Sequence, residues 1–438
     1  MDIFLGVIVG LLVLMFLVTA HEFGHFLMAR KNGVNVVEFG ICFPPRAIAW
    51  IKDPKTGKWR RLPKKEWNKE KVSKVVYSDG DKSLTQKGMI FSLNWLPIGG
   101  FCQMDGESDA DTRKGTFGAA SYWSKTKILF AGVTANWLVA IIIFTILAWT
   151  GMPEFIDGQF TIEADTRVNR VPVQITSVEE GSPAEKAGIK ENDYILAIDG
   201  NEVWTSSDIA EVNKAHAGKK VEYKIRRTTI GCINQPDCYV EPCPCLEEGE
   251  QEVEQNVEVT LNPEDAEYLL GVKMSSTQAL SYSTWSAPIV GVGVTAQITG
   301  ETFKGVGVML WNLVSGVGQL FSPDAGVRES GQEAISSVGD SVSGPVGIIG
   351  VLFPAFTSSG APYLFFLVAL ISISLACMNV LPIPALDGGR WLLITIYKLL
   401  KKKLTKETEE KIVGRAFTVI IILALIVTVL DVLRLTGR

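Results

Sequence analysis

Charged side chains are scarce in this sequence. Only 20% of its 438 residues are Asp, Glu, Lys or Arg, and mean hydropathy is positive at +0.22, which places the chain nearer to membrane proteins than to soluble ones. A net charge of -5 lacks the basic excess that nucleic-acid binding requires. No Lys or Arg precedes the first apolar run and no small-residue cleavage site follows it, so that run reads as a retained helix and not as a cleaved signal peptide. Histidine is scarcer still, with three in all. An inverted repeat of apolar segments, the mark of many transporters, is also missing, which argues against an ion path.

The apolar residues gather in four blocks, each long enough to cross a hydrocarbon core roughly 30 Å thick. They cover 3–29, interrupted by His21, Glu22 and His25, then 128–149, 363–381, and 416–433 with Asp431 near its end. Residues 30–125 carry eighteen Lys and Arg and residues 390–415 carry eight, whereas the longer stretch 151–361 carries thirteen. Short basic loops remain on the cytoplasmic side. The N-terminus is therefore expected outside, with spans one and three running inward, two and four running outward, and 151–361 lying outside. The expected fold is a polytopic α-helical membrane protein with four transmembrane helices, its membrane domain divided between 1–150 and 362–438, plus an extracytoplasmic α+β domain.

Between the first two spans, a strand-forming run at 37–43 meets Pro44-Pro45 and resumes at 47–51, which predicts a hairpin close to the membrane. Residues 53–88 are polar and Lys-rich and read as a solvated loop. Residues 89–104 turn apolar again, with Pro97 and Gly99-Gly100 forbidding a long helix. Too short to span, they read as a membrane-embedded loop or strand.

Over 165–275 the pattern predicts a small module: a strand at 173–178, a helix capped by Ser182 with Pro183 in its first turn, a strand at 194–198, a helix at 207–217 and a strand at 220–226. Residues 228–256 read as an insertion. Its Cys232, Cys238, Cys243 and Cys245 form either two disulfides, suited to an oxidising exterior, or a second zinc site. Within a peripheral segment 280–361, the apolar run 288–321 carries Glu301 and Lys304 near its middle. Two charges at the centre of a lipid-facing helix are costly, so this run reads as an amphipathic helix on the outer membrane surface.

The chemistry concentrates at His21-Glu22-Phe23-Gly24-His25. On a helix, positions i and i+4 share a face, so both imidazoles can bind one Zn²⁺, and Glu22 stands beside them as general base for water. The pentad uses two of the three histidines and lies inside a span, where an ionisable residue marks function by default. The third, His216, reads as an ordinary surface residue. A hydrolytic zinc site needs a third protein ligand and an open position. Asp387 fits that need: it follows an apolar span in Leu381-Pro382-Ile383-Pro384-Ala385-Leu386-Asp387-Gly388-Gly389, where prolines end the helix and glycines permit a sharp turn. His21 lies ~27 Å along a helix rising ~1.5 Å per residue from residue 3, near the inner edge. An inward-running third span brings Asp387 to the same edge.

The pairing of His21 to His25 with Asn379-Val380-Leu381-Pro382-Ile383-Pro384-Ala385-Leu386-Asp387-Gly388 resembles the HExxH and NxxPxPxLDG patterns of the bacterial site-2 proteases. Ala131-Gly132-Val133-Thr134-Ala135-Asn136 resembles that family's glycine-to-asparagine motif, Leu96-Pro97-Ile98-Gly99-Gly100-Phe101 its inner membrane-embedded loop, and Ser343-Gly344-Pro345 its short element before the third span. Gly181-Ser182-Pro183-Ala184 and residues 193–200 resemble a PDZ domain, present once where the regulator-of-sigma-E protease branch often has two. The resemblance implies an intramembrane zinc metalloendopeptidase of the bacterial inner membrane, with Zn²⁺ on His21, His25 and Asp387, Glu22 catalytic, and Asn379, Asn136 and Gly132 contacting substrate. It further implies transmembrane protein substrates, such as anti-sigma factors or remnant signal peptides, and peptide C-termini as ligands of the PDZ-like domain. The competing reading is a PDZ-bearing membrane scaffold with a vestigial metal site, although every residue that hydrolysis requires is intact.

Overall fold

The computed structural model describes residues 2–52, 57–64, 75–79, 82–86, 89–156, 158–204, 206–232, 248–263, 266, 268–274, 278–341 and 344–435. The chain divides into two compact units, Met1–Thr150 with Gln159–Asp165 and Ser283–Arg438, and Gly151–Gly158 with Thr166–Tyr282.

The first unit begins with α1 (Asp2–Lys31), apolar on nearly all sides and ending in Arg30 and Lys31, where cations oppose the negative end of the helix dipole. Five strands follow: β1 (Val36–Lys52), β2 (Trp59–Arg61), β3 (Val75–Asp79), β4 (Lys82–Gln86) and β5 (Ile90–Met104). β3 and β4 pair with each other, so part of the stretch read as a solvated loop is a hairpin. β1 and β5 both bend, near Pro44-Pro45 and Pro97, and interlock. Phe39 lies opposite Cys102 and also opposite Phe91, while Ala49 lies opposite Ser92. The hairpin and the apolar segment anticipated as separate features thus form one sheet.

A buried polar cluster fixes the bend. Arg46 Nε donates to Glu38 Oε1 at 2.9 Å, Ser92 Oγ donates to the same oxygen at 2.7 Å, and Asn94 Nδ2 donates to the Cys42 carbonyl at 2.9 Å. A buried carboxylate is tolerated here because it is paired and hydrogen-bonded. Beyond the cluster, Phe43, Trp95 and Leu96 are exposed and give the sheet an apolar tip. α2 (Tyr122–Thr150) completes this half of the unit.

The second unit holds β6 (Met152–Pro153), β7 (Arg167–Val171), β8 (Val173–Val178), α3 (Pro183–Lys186), β9 (Tyr194–Ile198), β10 (Asn201–Glu202), α4 (Ser206–Ala215), β11 (Lys220–Cys232), β12 (Glu248–Thr260), β13 (Val272–Met274) and β14 (Gln278–Tyr282). Its main sheet runs β12-β11-β9-β8-β13, with β10 against β9, and a smaller sheet runs β6-β14-β7. Val173, Ile175, Ile195, Tyr223 and Val259 form its core. Ser182 caps α3 as anticipated, its side chain accepting from Glu185 N at 3.1 Å, a contact worth about 1 kcal/mol.

The insertion reading of 228–256 needs correction. Residues 228–232 and 248–256 are strand, continuing one antiparallel ladder from Lys220 opposite Thr260 to Cys232 opposite Glu248. The physical reason is period-two patterning: Val253, Val257 and Val259 alternate with Glu252, Glu254 and Glu258, and Lys224 Nζ meets Glu254 Oε2 across the strands at 2.8 Å. Cys238, Cys243 and Cys245 lie outside the described residues, as does the side chain of Cys232, so their pairing remains the expectation stated above.

The first unit resumes with α5 (Ala287–Leu320), α6 (Ala325–Ser341) and α7 (Pro345–Gly347), which runs through a π-helical turn (Ile348–Leu352) into α8 (Phe353–Ser358). α9 (Ala361–Val380), α10 (Asp387–Leu399) and α11 (Lys406–Leu435) follow. α5 buries Val290, Gly291, Val294, Thr295 and Ile298, one helical stripe. A Cβ at Gly291 would lie 2.4 Å from Thr145 Oγ1 on α2. Glu301 and Lys304 are exposed and pair with each other at 3.3 Å.

Among the described residues, four helices are long and apolar enough to cross a membrane: Phe4–Lys31, Tyr122–Thr150, Ala361–Val380 and Lys406–Leu433. They are the four anticipated spans of a multi-pass membrane protein. The second and fourth begin earlier than hydropathy alone suggests, because helical hydrogen bonding continues past the apolar stretch into polar residues.

Candidate metal centre

The centre is assembled where α1 crosses α2. Gly24 makes the crossing close, since a Cβ there would stand 2.3 Å from the Ala131 carbonyl oxygen. Four residues apart on α1, His21 and His25 turn their imidazoles to the same side, and both are nearly buried, at 7% and 6% exposure. His25 Nδ1 donates to the Ile128 carbonyl of α2 at 2.8 Å. That bond fixes the tautomer and leaves the His25 Nε2 lone pair directed into the site.

Asp387 arrives from the other end of the chain. Below α9 the chain folds through tight turns, with Ile383 N donating to Leu381 O and Leu386 N to Ile383 O, both at 2.8 Å. Asp387 then opens α10. The two glycines after it are required by close approach: a Cβ on Gly388 would lie 2.1 Å from Val380 O, and one on Gly389 would lie 2.0 Å from Ile383 O.

The three donors meet at one point. His21 Nε2 lies 3.0 Å from Asp387 Oδ2, His25 Nε2 lies 3.2 Å from the same oxygen, and the two Nε2 atoms are 3.1 Å apart. Two imidazole nitrogens and a carboxylate oxygen so aimed concentrate lone pairs that a cation relieves. Their spacing is close to the ~3.3 Å that separates two ligands each about 2.0–2.1 Å from a tetrahedral Zn²⁺. The nitrogen and oxygen donor set suits zinc, and three protein ligands leave a fourth position open.

Glu22 lies beside both imidazoles and Asp387, and the backbone of Cys102 on β5 lies close to its carboxyl group. The sheet of β1 and β5 thereby borders the centre. The other anticipated residues divide. Gly132 faces both imidazoles, and Asn136 stands next to His21, its Nδ2 3.5 Å from His21 Nδ1. Asn379 instead donates to the Leu375 carbonyl of its own helix at 2.9 Å. His216 bonds the Val212 carbonyl within the second unit, in keeping with an ordinary role.

Two features near the centre carried no usable sequence signal. The Ile128 carbonyl is backbone, so no residue type marks it. Glu409, in a Lys- and Glu-rich stretch, reads as solvated, yet it is buried and accepts from Ser108 Oγ and Asp109 N at 3.0 Å each while pairing with Arg390 Nε at 3.5 Å. Its network borders a cavity of about 1060 Å³ beside Asp387, also lined by Glu107 and Arg113.

A multi-pass helical membrane protein with these donors converging beside a glutamate is a zinc metalloprotease. The model of Peptidase family M50 matches residues 9–60 and 81–424, and the chain belongs to that family, the site-2 proteases. It is similar over 434 residues to a Clostridium perfringens protein provisionally named as a zinc metalloprotease, with 26% identity and 98% of each chain covered. It is similar also to the regulator of sigma-W protease RasP of Bacillus subtilis, 25% identical over 474 residues with 96% of each chain covered. The zinc metalloprotease RasP of Geobacillus kaustophilus is 24% identical over 469 residues, with 95% of each chain covered.

Proposed function

We propose that this zinc metalloprotease cuts single-span membrane proteins within the bilayer, with His21, His25 and Asp387 as zinc ligands and Glu22 as general base. The observation that carries the reading is the convergence of His21 Nε2, His25 Nε2 and Asp387 Oδ2 at one point inside a span. Zinc held there supplies polarisation of the scissile carbonyl and of water. Glu22 takes the proton from the attacking water and returns it to the leaving amine nitrogen.

A helical substrate shields its scissile amide with its own hydrogen bonds, so it must first extend. β5 is an edge strand of its sheet and its Cys102 lies close to Glu22, which supports strand addition beside the base. The second unit, with its six-stranded sheet and two short helices, supports a PDZ-like domain over about 165–275 that takes peptide C-termini or excludes bulky ectodomains. The charge balance of the loops supports an N-terminus and PDZ-like domain outside the inner membrane of a bacterium. The name of the Bacillus relative supports a membrane-anchored regulator of a sigma factor as substrate.

The test is cleavage of a single-span model substrate by purified protein in detergent, with zinc content measured alongside. Glu22→Gln should retain zinc and lose cleavage. Equal cleavage by wild type and variant would remove Glu22 from its role.

A further inference from the structure

Asn136 occupies a position that neither the zinc ligands nor the general base explain. It follows Gly132 by four residues on α2, hence on the same face, and it is fully buried, at 0% exposure. Its backbone is held from the far side, since Ser372 Oγ on α9 donates to the Asn136 carbonyl at 2.8 Å. Its side chain lies against the outer nitrogen of His21, with Nδ2 3.5 Å from Nδ1. Its own Oδ1 is buried with no hydrogen-bond partner.

The two histidines differ in how their outer nitrogens are satisfied. His25 Nδ1 has the Ile128 carbonyl. His21 Nδ1 has no partner among the described residues besides the Asn136 amide. A neutral imidazole that ligates through Nε2 must carry its proton on Nδ1, and that N–H needs an acceptor when buried. An amide nitrogen facing it would set donor against donor. A half-turn of the Asn136 amide exchanges oxygen for nitrogen without changing its shape and brings the orphaned Oδ1 to His21 Nδ1.

We infer that Asn136 is a positioning residue for the metal centre: its Oδ1 accepts the Nδ1 proton of His21 and so directs the Nε2 lone pair at zinc. This places on a side chain of α2 what the Ile128 carbonyl, also of α2, does for His25. Both imidazoles are then oriented from one helix, and Gly132 between the two contacts lets that helix approach. The inference rests on the zinc reading of the site and deepens it.

The test uses the full chain in detergent and measures zinc loss to a competing chelator, together with the visible spectrum of the cobalt-substituted protein. Asn136→Leu keeps the size but removes the acceptor, and it should release zinc about 10–100-fold more readily, the usual range for a lost outer partner. Asn136→Asp keeps an oxygen in the same place and should hold zinc at least as tightly as wild type, with the cobalt bands shifted because the stronger acceptor alters the basicity of His21. A merely structural role would not produce rescue by Asp. Zinc retention by the Leu variant equal to wild type, or release by the Asp variant as fast as by the Leu variant, would overturn the inference while leaving the zinc reading intact. Wild type without stoichiometric zinc, or His21→Ala holding zinc as wild type does, would overturn the zinc reading and this inference with it.

Discussion

Gly132 stands so close to His25 that a Cβ on it would lie 2.5 Å from His25 Nε2, and 2.6 Å from His21 Nε2 as well. Van der Waals contact with either ring therefore requires a hydrogen at this position of α2. The glycine is a spacer that lets one helix backbone press against both imidazoles.

Gly132→Ala should accordingly displace one or both imidazoles. The expected result is a loss of zinc affinity at least as large as the ~10–100-fold that follows from disturbed outer-sphere partners, with cleavage lost in parallel and helix content unchanged. Metal analysis after gel filtration, with circular dichroism on the same sample, checks this. Full zinc occupancy at wild-type affinity would show that the helices shift to absorb the methyl group.

Asp431 is a carboxylate inside the fourth span, yet it is only 5% exposed. It accepts from Gly347 N at 2.8 Å and from Gly344 N at 3.2 Å, so it caps the start of α7 and pins α11 to it. Hydrogen bonds to a charged group contribute about 1.5–3 kcal/mol each. Asp431→Ala should lower stability by roughly 2 kcal/mol or more on that basis, and Asp431→Asn, which keeps one acceptor, by less. Thermal unfolding of detergent-purified variants measures the order, and an alanine variant as stable as wild type would contradict the cap.

Asp165 gives a dependence on pH. Desolvation raises its pKa, but donation from Ser286 Oγ, Thr284 Oγ1 and both backbone N–H groups outweighs this and holds the carboxyl well below the usual range. A carboxylate with a depressed folded-state pKa adds stability that is fully present above its unfolded value of about 3.9 and is lost as pH falls through the folded value. Asp165→Asn should therefore melt below wild type at pH 7, and the gap should narrow progressively once pH drops below about 4. A gap independent of pH would mean that the carboxylate charge is not what holds the start of α5.

The sequence by itself determined the features that depend on neighbours along the chain. Continuous apolar runs named four spans because length and hydropathy are local properties, and the i, i+4 spacing of His21 and His25 placed both on one helical face. Pro382, Pro384 and the paired glycines marked a break at Asp387. Tertiary structure decided everything that depends on approach between distant segments. Only there do β1 and β5 interlock through double pairing at Phe39, and only there does Glu409, polar in a polar stretch, become a buried link to Ser108 and Arg390. Gly132 and Asn136 were legible as a motif, but their tasks were not. A missing Cβ acquires meaning from the ring it admits, and an amide from the nitrogen it faces, and both lie more than a hundred residues away along the chain.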